Sequence, residues 1–141
     1  MKISARNVLA GTIQTITKGA VNSEVTLSLK GGEKVVAIIT NGSVNSLGLA
    51  PNKPAFAIVK ASEVMIGKGL DGAKLSARNV LAGEVASVTD GAVNSEVVVR
   101  LTGGAEVVAS ITKSSVHRLG LKAKDSVSAV MKASNVMVGT E

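Results

Sequence analysis

Apolar and polar residues alternate with a period of two around Val25, Leu27 and Leu29, the pattern of a strand with one face buried. Val8 to Thr17 alternates less regularly around Gly11 and predicts a long strand with a bend, followed by a turn at Gly19 to Asn22. Gly31-Gly32 predicts a tight hairpin leading into Val35-Val36-Ala37-Ile38-Ile39, a third strand that ends at Thr40. From Thr40 to Leu47 the alternation is lost. A hydroxyl opens this stretch as an N-cap and Gly48 closes it, so a helix of two turns is expected. Ala50 to Pro54 reads as a loop. Ala55 to Lys60 and Val64 to Ile66 read as a short strand pair separated by a kink at Ala61-Ser62-Glu63.

The whole pattern then repeats. Residues 3–69 return without insertion or deletion as residues 75–141, carrying Ser4-Ala5-Arg6-Asn7 onto Ser76-Ala77-Arg78-Asn79 and Gly31-Gly32 onto Gly103-Gly104. This divides the chain into a first module, 1–69, and a second, 70–141. Three strands, a short helix and two closing strands per module predict an all-β protein of two tandem five-stranded OB-type Greek-key barrels, each with one short helix. The connector Lys68 to Lys74 is short, so the barrels should sit side by side.

Composition sharpens this picture. Modules of roughly 70 residues lie near the lower limit for burying a self-sufficient core. With one Phe, no Trp and no Tyr, that core must come from aliphatic residues, so module-on-module packing and homo-oligomerisation are expected. The absence of Cys excludes disulfide and thiolate chemistry. Met1 to Asn7 lacks the apolar stretch of a signal peptide and no apolar run is long enough for a membrane span, so a cytoplasmic location is expected, with no membrane partner. The net charge of +6 is uneven: residues 1–69 hold eight Lys or Arg against three Glu, and residues 70–141 hold eight against seven acidic residues. There is no Lys/Arg cluster of the kind that binds a polyanion.

Three polar clusters survive the duplication. They are Ser4/Arg6/Asn7, Thr40/Ser43 and Lys60/Ser62, with counterparts Ser76/Arg78/Asn79, Thr112/Ser115 and Lys132/Ser134. Polar positions nearby drift, as Gln14 becomes Ala86 and Lys30 becomes Thr102. All three clusters donate hydrogen bonds and offer few acceptors, which suits a small, fully deprotonated oxyanion better than a metal cation. Thr40 and Ser43 stand at a helix start, where free N–H groups favour negative charge, although a simple helix cap would use the same residues. Three or four charge-assisted bonds of roughly 1.5–3 kcal/mol each suffice for micromolar binding, about 8 kcal/mol, after desolvation and ordering. Glu24 and Glu96 are also retained, in a Gly-Ala-Val-Asn-Ser-Glu turn that reads as turn geometry with a surface carboxylate.

Ser-Ala-Arg-Asn at the start, Thr-x-x-Ser after the third strand and Lys-Ala-Ser near the end together resemble the Mop module, a TOBE-like molybdate-binding unit, here in the tandem form of a di-Mop molbindin. The resemblance implies a non-catalytic binder of molybdate or tungstate with no cofactor, serving intracellular molybdenum storage, buffering or homeostasis. It also implies threefold assembly, a homotrimer of two-module chains with sites at module interfaces. By motif, Ser4, Arg6, Lys60, Ala61 and Ser62 of one module would act with Thr40 and Ser43 of a neighbour. The second set is Ser76, Arg78, Lys132, Ala133 and Ser134 with Thr112 and Ser115. Val21-Asn22-Ser23 and Val93-Asn94-Ser95 are weaker candidates for sites on the threefold axis. Asn41-Gly42 against Lys113-Ser114 is a difference that would make the two helix-capped sites unequal.

Single-stranded nucleic acid is the alternative ligand for a basic OB barrel. Base stacking on aromatic rings contributes about 1–3 kcal/mol per base, and the only ring, Phe56, becomes Ser128 in the second copy, so no nucleic-acid partner is expected. Catalysis is not expected either. The lone His117 aligns with Asn45, and no nucleophile recurs beside a general base.

Overall fold

The computed structural model describes all 141 residues. The first repeat forms β1 (Asn7–Lys18), β2 (Asn22–Leu29), β3 (Lys34–Thr40), α1 (Asn41–Ser46), β4 (Pro54–Val59), a 3-10 turn (Ala61–Glu63) and β5 (Met65–Gly67). The second forms β6 (Asn79–Asp90), β7 (Asn94–Leu101), β8 (Glu106–Thr112), α2 (Lys113–Leu119), β9 (Ser126–Met131), a 3-10 turn (Ala133–Asn135) and β10 (Met137–Gly139). These elements follow the expected order closely. The bend in β1 is displaced, however. It comes from a bulge at Gln14, where the register with β2 slips between Ile13 and Thr15, and not from Gly11. Gly11 is needed for another reason: a side chain there would collide with the Ser28 carbonyl across the ladder.

The strand pair expected of Ala55–Lys60 and Val64–Ile66 does not form. β4 pairs instead with β10 of the second repeat, Ile58 opposite Met137 and Phe56 opposite Gly139. β5 reciprocates against β9, Met65 opposite Val130. Each antiparallel sheet of five strands therefore takes its last strand from the other repeat, in the orders β10-β4-β1-β2-β3 and β5-β9-β6-β7-β8. Each sheet curls until its edges approach, β10 near β3 and β5 near β8, which gives the five-stranded Greek-key barrel. The exchange is sterically simple. The 3-10 turn after β4 redirects the chain away from its own barrel, and Ala61–Glu63 packs against β8 while Ala133–Asn135 packs against β3.

The exchange also merges the cores. Strand alternation turns Val25, Leu27 and Leu29 inward in one barrel and Val97, Val99 and Leu101 in the other, and a single cluster of 25 buried apolar residues runs through both. Without large aromatics, neither module must close alone around its own aliphatic residues. Equivalent residues meet on the pseudo-twofold axis: Gly31 lies against Gly103, and Asn135 donates a 3.0 Å hydrogen bond to Glu63.

Candidate functional site

The register explains how motif pieces distant in sequence meet. Asn7 pairs with Val59 at the ends of β1 and β4, so Ser4-Ala5-Arg6 and Lys60-Ala61-Ser62 leave the sheet side by side. Asn79 opposite Met131 does the same for Ser76-Ala77-Arg78 and Lys132-Ala133-Ser134. In the first repeat these segments line a cavity of about 350 Å³ bounded by Ile3, Ser4, Arg6, Lys60, Ala61, Ser62 and Met137. Met137 belongs to the exchanged strand, so both repeats build this cavity. Lys60 and Lys132 are exposed and form no ion pair, leaving both ammonium groups free to meet an anion.

The arginines are held from the opposite repeat. Arg6 Nη1 and Nη2 donate to Glu96 Oε2 and Oε1 at 2.6 and 3.0 Å, and Arg78 grips Glu24 in the same fork at 2.7 and 2.9 Å. The hydrogen bonds from the arginines hold both carboxyls below the ordinary carboxylate range, and the same bonds raise the arginine pKa values. Glu24 and Glu96 are thus not merely turn residues with a surface carboxylate. The signal that pointed to them was their retention together with the arginines.

Asn7 and Asn79 must be set apart from the cavity-lining residues. Both are buried, and their amides bond across to the opposite repeat: Asn7 donates to the Val108 carbonyl at 2.8 Å and accepts from Val108 N–H at 2.7 Å. Asn79 makes the same pair of bonds with Val36. The carboxamide mimics a peptide group and pairs with the open edge of the other barrel, because a planar amide offers one donor and one acceptor at strand spacing. This makes the two asparagines interface clamps, each committing one amide N–H and its carbonyl oxygen to the opposite barrel.

Thr40 and Ser43 do not line the cavity. Thr40 Oγ1 caps α1 by accepting from Ser43 N–H at 3.1 Å and lies 2.9 Å from Ser43 Oγ; Thr112 and Ser115 repeat this at α2. Thr40 and Thr112 are exposed, and Ser43 and Ser115 partly so. The turn candidates divide. Val21 and Val93 protrude, 71% and 73% exposed, whereas Ser23 and Ser95 are buried with their hydroxyls engaged. Ser23 donates to Asn41 Oδ1 at 2.5 Å, and Ser95 donates to Asp90 Oδ1 at 2.7 Å, since Lys113 occupies the position of Asn41 and cannot accept. Asn22 and Asn94 lie in the ladders opposite Thr40 and Thr112.

No group of three or more His, Asp or Glu side chains converges as a metal-cation site. His117 is exposed on α2. No helix is long and apolar enough to cross a membrane.

Comparison with known proteins agrees with the repeat. Residues 3–66 and 75–138 each match the TOBE domain. The chain is 43% identical over 138 residues to the molybdenum-pterin-binding protein MopA of Rhodobacter capsulatus, covering 98% of this chain and 52% of MopA. It is 39% identical over 138 residues to the molybdenum transport protein ModE of Azotobacter vinelandii, covering 98% of this chain and 51% of ModE. The chain thus spans about half the length of these relatives. A crystal structure of the cytoplasmic molybdate-binding protein ModG with molybdate bound matches along 100% of both chains, at 49% identity and a TM-score of 0.96.

Proposed function

Because the chain belongs to the TOBE-domain family, with one domain in each repeat, we propose that it binds molybdate, and tungstate as an anion of like charge and shape, reversibly and without catalysis in the cytoplasm. The observation that carries this reading is the donor-lined cavity in which Ser4, Arg6, Lys60 and Ser62 converge. Molybdate carries no proton at neutral pH and only accepts hydrogen bonds, so hydroxyls, an ammonium and the guanidinium N–H groups that Glu96 leaves unbound meet its needs. The choice of molybdate among oxyanions is supported by the end-to-end likeness to ModG.

The modules 1–69 and 70–141 supply Ser4, Arg6, Lys60, Ala61 and Ser62, and Ser76, Arg78, Lys132, Ala133 and Ser134, as two sets of ligands. Each set is completed by a hydroxyl pair, Thr40/Ser43 or Thr112/Ser115, from a second copy of the chain in a homotrimer. Val21-Asn22-Ser23 and Val93-Asn94-Ser95 lie at the trimer axis. An apolar strip supports association: Val8, Ile58 and Met137 sit abreast across β1, β4 and β10, with Val8 and Met137 exposed at 37% and 46%. Val80, Val130 and Met65 repeat the strip on the other barrel. Molybdenum storage or buffering is the role this serves.

Isothermal titration with molybdate, beside sulfate and phosphate at equal ionic strength and with the oligomer mass measured by light scattering, tests the reading. Tight molybdate binding by a trimer, at more than one anion per chain, is expected. Absence of heat at millimolar molybdate would overturn it.

A further inference from the structure

Within the duplicated stretches, three charged positions are common to both copies: Arg6/Arg78, Glu24/Glu96 and Lys60/Lys132. Every other charge changes, often in sign, as Lys18 becomes Asp90, Lys34 becomes Glu106 and Lys53 becomes Asp125. Glu33 and Glu63 become Ala105 and Asn135, so Glu24/Glu96 is the one acidic position the copies share. The fold brings all three together, since Arg6 and Lys60 line one cavity and Glu96 reaches Arg6 from the opposite repeat.

We infer that Glu96 and Glu24 are affinity-setting residues of the oxyanion pockets, resident carboxylates that hold back general anion binding from the repeat opposite the pocket each serves. The inference rests on the oxyanion reading above and adds a partner to that site. Arg6 and Lys60 alone would present two positive charges at an exposed pocket and attract any dianion, including abundant ones such as sulfate. Glu96 cancels one of these charges and occupies two of the five guanidinium N–H groups through its 2.6 and 3.0 Å bonds. Three N–H groups remain, in an orientation fixed by the fork. Retention of an anion then depends less on net charge and more on meeting the directional donors around the cavity. A surface ion pair contributes little to stability, so structural support alone is a weak reason to keep this pair in both copies.

The test compares sulfate and molybdate titrations of the full chain with those of the Glu96→Gln, Glu96→Asp and Glu24→Gln variants, over a series of ionic strengths. Removing one unit charge about 6 Å from a dianion in near-aqueous surroundings is worth about tenfold in affinity. Glu96→Gln should therefore bind both oxyanions about tenfold more tightly at the Arg6 pocket, with a steeper ionic-strength dependence and no change at the Arg78 set of ligands. Glu24→Gln should reverse the two. Glu96→Asp, which keeps the charge, should stay within about threefold of the parent. Unchanged or weaker binding by both Gln variants overturns the inference, as does a gain by Glu96→Asp equal to that of Glu96→Gln. If the parent chain binds neither oxyanion, the oxyanion reading itself falls, a result distinct from a parent that binds and variants that do not differ.

Discussion

The carboxamide of Asn7 pairs with Val108 as a neighbouring strand would, accepting from its N–H at 2.7 Å and donating to its carbonyl at 2.8 Å. Val108 lies on β8, the edge of a sheet, and an unpaired edge is a site for unwanted pairing. One buried side chain from the opposite repeat therefore closes part of that edge and couples the two barrels. Asn79 does the same at Val36.

Asn7→Ala should consequently destabilise the protein by about 2–4 kcal/mol, because two backbone groups lose partners at a buried site. Asn7→Asp should cost at least as much, since a carboxylate oxygen would face the Val108 carbonyl. Chemical denaturation of the two variants checks both values. A loss within about 0.5 kcal/mol, as for an ordinary surface change, would remove the clamp from the account.

Lys60→Ala should weaken oxyanion binding about 10- to 100-fold at one class of site, the worth of a charge-assisted hydrogen bond, and leave the thermal midpoint unchanged. Lys132→Ala should do so at the other class. Titration calorimetry separates the two classes if they differ. Equal retention of binding in the double variant would show that these ammonium groups do not touch the anion.

Strand exchange predicts an effect that crosses the repeats. Deleting residues 137–141 removes β10 and should expose the β4 edge in the first barrel, so amide exchange at Phe56 and Ile58 should accelerate. Val130 on β9, paired with β5, should keep its protection. If protection falls on β9 instead, the last strand belongs to its own repeat.

The Arg–Glu forks give stability a small pH dependence, small because the pairs are exposed to solvent. Glu24 and Glu96 have folded-state pKa values lowered by their arginines, so the unfolded chain takes up protons first as pH falls. Their contribution is complete above the unfolded carboxylate pKa and is lost as pH falls through the lowered folded value. The thermal midpoint of the parent should therefore drop toward that of Arg6→Gln/Arg78→Gln as pH is lowered from neutral to about 3. Melting curves across that range check it, and a constant gap between the two proteins would contradict it.

Much of the architecture is visible in the residues themselves. Alternation at Val25, Leu27 and Leu29 fixes which face of β2 is buried, the double glycine at 31–32 fixes a hairpin, with Gly32 at φ +98°, and Thr40 with Ser43 fixes a helix start. The cavity pieces Ser4, Arg6, Lys60 and Ser62 stand out because they recur while their neighbours change. Retention alone could not separate Asn7 from Arg6. One is a buried clamp and the other an exposed donor, and that difference depends on which strand edge lies within reach.

By itself the sequence determined the repeat, the strands and their buried faces, the helix caps and the donor-rich chemistry, all of which follow from local periodicity and side-chain type. The tertiary structure alone decided the partner of each closing strand. Met65-Ile66-Gly67 and Met137-Val138-Gly139 are nearly the same strand, and β4 and β9 offer nearly the same edge, so either pairing satisfies the same local rules. Only the direction of the chain after each 3-10 turn and the shared aliphatic core separate the two arrangements. The same choice brings Met137 to the first cavity, Glu96 to Arg6 and Glu24 to Arg78, contacts between residues that no local pattern connects.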